Sequence, residues 1–246
     1  MSSADQLPIP PWSAARKRPA GPSAKAPLTR DAIVEAALAV LDAEGLEGVS
    51  MRRVAQRLET GPASLYQHVG NKDELLELVL DRVSGEVEIP APGVGPDGWQ
   101  EPLKELLRAT RKVLGAHQDL AYVMLGRVPT GPNALAGAEG MLRILRAGDV
   151  PERVAAYAVD ALALFVASVT YEEAIQARLM GTMEEAKAYV AGVQKYFAAL
   201  PPDRFPTLVA MADQLTAFDE HEDDRFEFAL DVQIRGIAAL AAEQRG

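Results

Sequence analysis

Apolar residues recur every three to four positions along most of this chain, and no stretch alternates convincingly in the two-residue rhythm of a strand. Ile33, Ala36, Ala37, Val40 and Leu41 form one helical stripe, opened by Thr29 as N-cap and closed near Gly45. Met51, Val54, Ala55 and Leu58 form a second, shorter stripe behind Ser50, whose hydroxyl can accept from a first-turn N–H. Pro62 suits the first position of a third helix, with Leu65 and Val69 turned inward. Asn71 then caps a fourth helix carrying Leu75, Leu76, Val79 and Val83, and Glu74 stands where a capping box needs it. After Val83, the run S-G-E-V-E-I-P-A-P-G-V-G-P-D-G breaks the rhythm and reads as a domain boundary.

From Trp99 the helical pattern resumes. Helices are expected over about 102–116 and 118–125. R-V-P-T-G-P-N-A-L-A-G is expected as a loop running into a helix that ends near Gly148. A long helix follows from Pro151 to about Met180, another spans about 183–199, and the last covers 224–243, after breaks at Pro201, Pro202 and Pro206. The fold class is therefore all-α. Residues 28–84 read as a three-helix, helix-turn-helix DNA-binding domain, and 97–246 as a larger helical domain for ligand binding and dimerisation.

Two helices carry too much apolar surface for one core. Between Val154 and Val169 only Asp160 and Ser168 are polar. A membrane span is disfavoured, because Asp160 sits inside the run, Glu172 and Glu173 follow it, and the unbroken apolar stretch is far too short. A helix apolar all round is buried all round, which here means one face on its own core and one on a second subunit. The last helix is similar, with Phe226, Phe228, Leu230, Val232, Ile234, Ile237 and Leu240 covering more than one stripe. Phe226, Leu230, Ile234 and Ile237 are the dimer contacts this predicts.

Charge changes the picture locally. The 246 residues carry 25 Lys and Arg against 35 Asp and Glu, a net charge of −10, so nucleic-acid binding requires a local concentration of base. Ser50 to Lys72 supplies it, with Arg52, Arg53, Arg57 and Lys72 against Glu59 alone. Residues 1–27 are rich in Pro, Ala and Ser and hold Arg16, Lys17, Arg18 and Lys25. They read as a disordered tail or as a basic arm that touches DNA. No apolar run follows the basic cluster, so the stretch does not read as a signal peptide and a cytoplasmic location is expected. The chain has no Cys, and its three histidines are His68, His117 and His221. Without a phosphate loop, a Ser elbow or a zinc motif, an enzyme is not expected. A helical adaptor without operator or ligand stays open as the alternative to a regulator.

The stretch S-M-R-R-V-A-Q-R-L-E-T-G-P-A-S-L-Y-Q-H-V-G-N-K has the shape of a helix-turn-helix. Arg52 and Arg53 lie on the outer side of the bracing helix, while Ala63, Ser64, Gln67 and His68 lie on the outward face of the reading helix. Ser64 and Gln67 can donate to base edges and Ala63 can meet a thymine methyl. Together with L-T-R-D-A-I-V-E-A-A-L-A-V-L-D-A-E-G-L before it and D-E-L-L after it, this stretch resembles the DNA-binding domain of tetracycline-repressor (TetR) family regulators. The resemblance implies a phosphate bond from Tyr66 and a phosphate or groove contact from His68. The expected DNA-binding set is thus Ser50, Arg52, Arg53, Ala63, Ser64, Tyr66, Gln67, His68 and Lys72. One position departs from the family: Glu59 stands where Gly is usual. A left-handed Glu there costs about 1 kcal/mol, unless the turn leans on Gly61.

The resemblance extends over Y-V-M-L-G-R-V-P, G-D-V-P-E-R-V-A-A-Y-A-V-D-A-L and F-E-F-A-L-D-V-Q-I-R-G-I to the C-terminal domain of that family. It implies a homodimer built on a four-helix bundle from the long and last helices, bound to a near-palindromic double-stranded DNA operator and released by a small molecule. In the tetracycline binders a His supplies a magnesium ligand where Met124 stands here, so no metal and no cofactor are expected. The expected pocket residues are His117, Gln118, Tyr122, Met124, Phe165, Tyr171 and Gln176, the apolar and polar candidates for a cavity between helices. A ligand that favours the dimer with its readers wrongly spaced must weaken DNA binding.

Overall fold

Thr29 starts the fold: its Oγ1 accepts from the Ala32 N–H at 3.1 Å and opens helix α1, Arg30–Gly48. A computed structural model describes residues 27–93, 95, 98–117, 119–216 and 222–244, of which 222–224 by their backbone alone. Among these residues every regular element is a helix. The reading head continues with α2 (Met51–Arg57), α3 (Pro62–Leu65) and α4 (Lys72–Ser84). The regulatory half holds α5 (Gln100–Gly115), α6 (Leu120–Met124), α7 (Pro132–Ala147) and α8 (Glu152–Met180). It ends with α9 (Met183–Ala198), α10 (Pro206–Ala210), α11 (Ala212–Leu215) and α12 (Glu222–Glu243). The expected tail over 1–27 lies outside the described residues but for its last position.

The inward residues of the head are closed to solvent: Ile33, Leu41, Val54, Leu65, Leu75 and Val83 are all fully buried. α3 spans barely one turn and holds no helix by itself, so Leu65 and Val69 anchor it in the core of the head, where it packs on α2. α4 joins the two halves. It packs on α1 and also on α5, α6 and α7, and one apolar core runs through both halves.

α8 is long and apolar enough to cross a membrane by length and composition. It is instead the axis of the regulatory half, with Val154, Ala158, Leu162 and Val166 packed among α5, α6, α7 and α12. α12 lies on this core through Phe226, Leu230, Ile234, Ile237 and Ala241. Polar pairs fasten its flank to α5. Arg108 Nε donates to Glu227 at 2.7 Å, and the Arg111 guanidinium sits 4.5 Å over the Phe226 ring.

Two segments differ from the sequence reading. Residues 132–137 were expected in a loop and belong to α7. The first turn of α7 has no cap of its own, because Gly131 at the N-cap offers no side chain. Asp81 of α4 supplies the acceptor, taking the Asn133 and Ala134 N–H groups at 2.9 Å each. Between Pro201 and Thr216, α10 and α11 occupy what reads as a simple break.

Candidate nucleic-acid interface and ligand cavity

Ser50 Oγ accepts from the Arg53 N–H at 3.2 Å and starts α2. α2 ends in a Schellman motif: Glu59 N–H donates to Gln56 at 3.0 Å and Thr60 N–H to Ala55 at 2.9 Å. The turn therefore falls on Glu59, at φ +50°, and not on Gly61, which is extended at φ −86°. α3 follows at once, and Ala63, Tyr66 and Gln67 are exposed with Ser64 and His68 half-buried beside them. Arg52 is exposed as well, and among the described residues it has no ion pair.

Two expected DNA contacts are committed within the chain. Arg53 is drawn back onto α1, its Nε donating to the Glu44 carboxylate at 2.7 Å. That bond holds the Glu44 carboxyl below its usual range. Lys72 Nζ donates to the Leu46 carbonyl at 3.1 Å, which leaves the rest of its ammonium for a phosphate. Sequence reading also passed over Arg30, whose Nε donates to the His68 carbonyl at 3.2 Å and whose Nη2 reaches Glu74 at 3.1 Å. Arg30 thereby bolts the start of α1 to the end of the reader. Glu74 accepts from the Gly70 N–H at 2.8 Å, one residue before the cap position a capping box would use. Asn71 caps α4 as expected, accepting from the Glu74 N–H at 2.8 Å.

The head is latched to the regulatory half at the end of α1. Gly45 turns at φ +71° and breaks the helical ladder there. The Leu46 N–H donates to Asp119 Oδ2 at 3.0 Å. Asp119 is buried, left-handed at φ +58°, and its other oxygen pairs with Arg178 near the end of α8. Leu46 is thus held by the regulatory half through its N–H and by Lys72 through its carbonyl. His117 Nδ1 lies 3.0 Å from Asp42, beside this latch.

A cavity of about 580 Å³ lies between α4, α5, the α6–α7 loop, α7 and α8. Leu106, Val113, Met124, Met141 and Val159 make much of its wall. Of the expected pocket residues, Met124 lines it and the other described ones stand elsewhere. His117 belongs to the latch, the Tyr122 and Tyr171 rings pack tilted at 5.1 Å, and Phe165 stacks on Phe226 at 5.5 Å. Gln176 donates to Glu172 at 3.2 Å, and Gln118 lies outside the described residues. The wall that sequence reading missed is α4, through Glu77, Leu80, Asp81 and Ser84. Arg127 of the α6–α7 loop pairs with Glu77 at 2.7 Å, tying that loop to α4. No local pattern marks these residues, because the wall exists only once α4 lies against α7. Among the described residues, no group of three His, Asp or Glu could hold a metal.

The expected dimer contacts need correcting. Phe226, Leu230, Ile234 and Ile237 are buried within the chain itself, at 7 % exposure or less. They face α8, so no partner can reach them. The apolar row left outside on α12 is Phe228, Val232, Gly236 and Leu240, spaced four apart, with Phe228 at 74 % exposure. Tyr157 and Leu164 of α8 are exposed as well.

Known proteins share both halves. Residues 33–79 match the family described as bacterial regulatory proteins, tetR family, and residues 90–241 match the tetracyclin repressor-like C-terminal domain. The HTH-type transcriptional repressor DrrR1 of Streptomyces coeruleorubidus is 36% identical over 239 residues, covering 96% of this chain and 86% of that protein. The class D tetracycline repressor protein of Escherichia coli is 28% identical over 85% of this chain and 89% of its own. Among solved structures, ActR of Streptomyces coelicolor in complex with actinorhodin has a TM-score of 0.81 and 44% identity, covering 89% of this chain and 100% of that one. An exposed reader on a braced helix pair, a cavity against α4 and family matches over both halves agree: the chain belongs to the TetR family of DNA-binding transcriptional regulators.

Proposed function

We propose that this regulator is a homodimeric repressor released from its operator by a drug-sized, largely apolar molecule held between α4 and α8. The cavity carries this reading. Its volume and its Leu, Val, Met and Ala wall suit such a ligand. One wall is α4, which starts where the reader ends, so a ligand there favours one placement of the reader over another. Solved structures of ActR include complexes with actinorhodin and with (S)-DNPA. The reader contributes Ala63, Ser64 and Gln67 to base edges, and Tyr66, His68, Arg52 and part of Lys72 to phosphates. Phe228, Val232 and Leu240 of α12, with Tyr157 and Leu164 of α8, meet the same residues of a second copy and set the spacing of the two readers. The complex works in the cytoplasm, where its operator lies.

The test is a gel shift on the DNA upstream of the gene, without and with a neutral hydroxyethyl-substituted anthraquinone as probe. A shifted band that the probe dissolves is the expected result. No band on any upstream fragment sinks the repressor reading, and a band indifferent to a probe that binds the protein sinks the coupling through α4.

A further inference from the structure

The cavity carries more acid than base. Glu77, Asp81 and Asp160 border it, against Arg127. Two of these acids are occupied within the chain. Glu77 accepts from Arg127 at 2.7 Å, and Asp81 accepts from the first two N–H groups of α7. Asp160 differs, since among the described residues no hydrogen bond or ion pair involves it.

Its surroundings sharpen the difference. Asp160 and Ser168 are the two polar residues between Val154 and Val169, and Ser168 returns its hydroxyl to the Leu164 carbonyl at 2.6 Å. Ala156 stands one turn before Asp160, and Ala163 and Leu164 one turn after it, all on the same cavity wall. Asp160 is itself exposed, and the small side chains beside it leave the carboxylate open both to water and to whatever fills the cavity. A neutral apolar ligand would strip water from that carboxylate and return nothing. A ligand with a protonated amine would return a charge-assisted hydrogen bond.

We propose that Asp160 is the polar anchor of the effector site, and that the effector carries a basic amine beside its apolar body. The inference rests on the cavity being the effector site. Two matched probes separate the two ideas: an anthraquinone with an aminoethyl arm, and the same ring with a hydroxyethyl arm, each titrated into the full-length protein by fluorescence. Wild type should bind the amine probe about tenfold more tightly or better, the range of a hydrogen bond to a charged group. Asp160→Asn should bring the two probes within about twofold of each other. Equal affinities on wild type, or an amine preference that survives Asp160→Asn, overturn the proposal while leaving the cavity reading intact. Failure of both probes to bind wild type overturns the cavity reading, and this proposal with it. Sedimentation of Asp160→Asn closes the remaining route: dissociation into monomers would place Asp160 in the subunit contact and overturn the anchor role.

Discussion

The reading head hides its apolar side chains and the regulatory half does not. Within residues 28–84 the one large apolar side chain left exposed is Tyr66, on the reader itself. In the regulatory half, Phe228, Val232 and Leu240 stand out from α12, and Leu179, Met183, Tyr189 and Tyr196 from the end of α8 and from α9. α9 packs on α8, α10 and α11, and Ala186 and Ala212 are the buried residues of this arm. Such rows of exposed large apolar side chains mark surfaces that a partner covers. The head is finished by its own chain, whereas the regulatory half is finished by a second copy and a ligand. Function follows the division: the head must present a fixed surface, and the other half must choose between arrangements.

The strongest way to break this contrast is a pair of charges placed two residues apart on α12. Leu230 is fully buried, so Leu230→Glu leaves a charge unpaired in the core, costs several kcal/mol and should give an insoluble or unfolded chain. Val232 is half-exposed in the free chain, so Val232→Glu should keep full helical circular dichroism yet sediment as a monomer and lose the operator. A dimeric Val232→Glu protein would show that the subunits meet elsewhere.

The latch is next in size. Asp119→Ala leaves the Leu46 N–H and the Arg178 guanidinium without their acceptor, at about 1–3 kcal/mol. Denaturant unfolding should show that loss. Operator affinity should fall too, because Leu46 also holds Lys72 at the exit of the reader. Wild-type affinity in a destabilised Asp119→Ala protein would reduce the latch to a source of stability alone.

Within the head, Arg52 and Arg53 separate by partner. Arg52→Ala should weaken binding to operator and random DNA alike and lower the salt slope by about one. Arg53→Ala should change the slope by less, since its guanidinium already lies on Glu44. Equal slopes would show that DNA pulls Arg53 off α1. The turn of the head offers a smaller, stabilising change. Glu59 is left-handed, so Glu59→Gly should raise unfolding stability by about 1 kcal/mol with the same operator consensus.

Acid has the smallest effect. A backbone N–H at Thr182 holds Glu185, an ammonium at Lys104 holds Asp231, and Arg53 holds Glu44, each carboxyl below its usual range. Depressed carboxyls stabilise the fold above their unfolded value of about 4 and lose that contribution as pH falls through the folded values. Thermal stability should therefore be level from pH 7 to about 5 and decline below about 4. A decline beginning near neutrality would point to histidine instead.

Much of the head was legible because its signals are local. Caps at Thr29, Ser50 and Asn71 act within three residues, and a helical stripe names the side that must turn inward. The turn itself was left between Glu59 and Gly61, and the structure placed it on Glu59. The stripes of α12 show the limit. Period alone reveals two apolar rows, but which row meets α8 and which stays outside depends on where α8 lies. Sequence assigned the buried row to the partner, and packing assigned it to the chain's own core. The cavity is a similar case: Met124 lay in a recognisable motif, while Glu77, Asp81 and Asp160 became neighbours only when α4, α7 and α8 packed together. The sequence by itself determined the helices, their ends and the reading surface, through interactions spanning a few residues. Tertiary structure decided the wall of the cavity, the Asp119 latch and the free face of α12, because each joins residues far apart in the chain whose meeting no local period encodes.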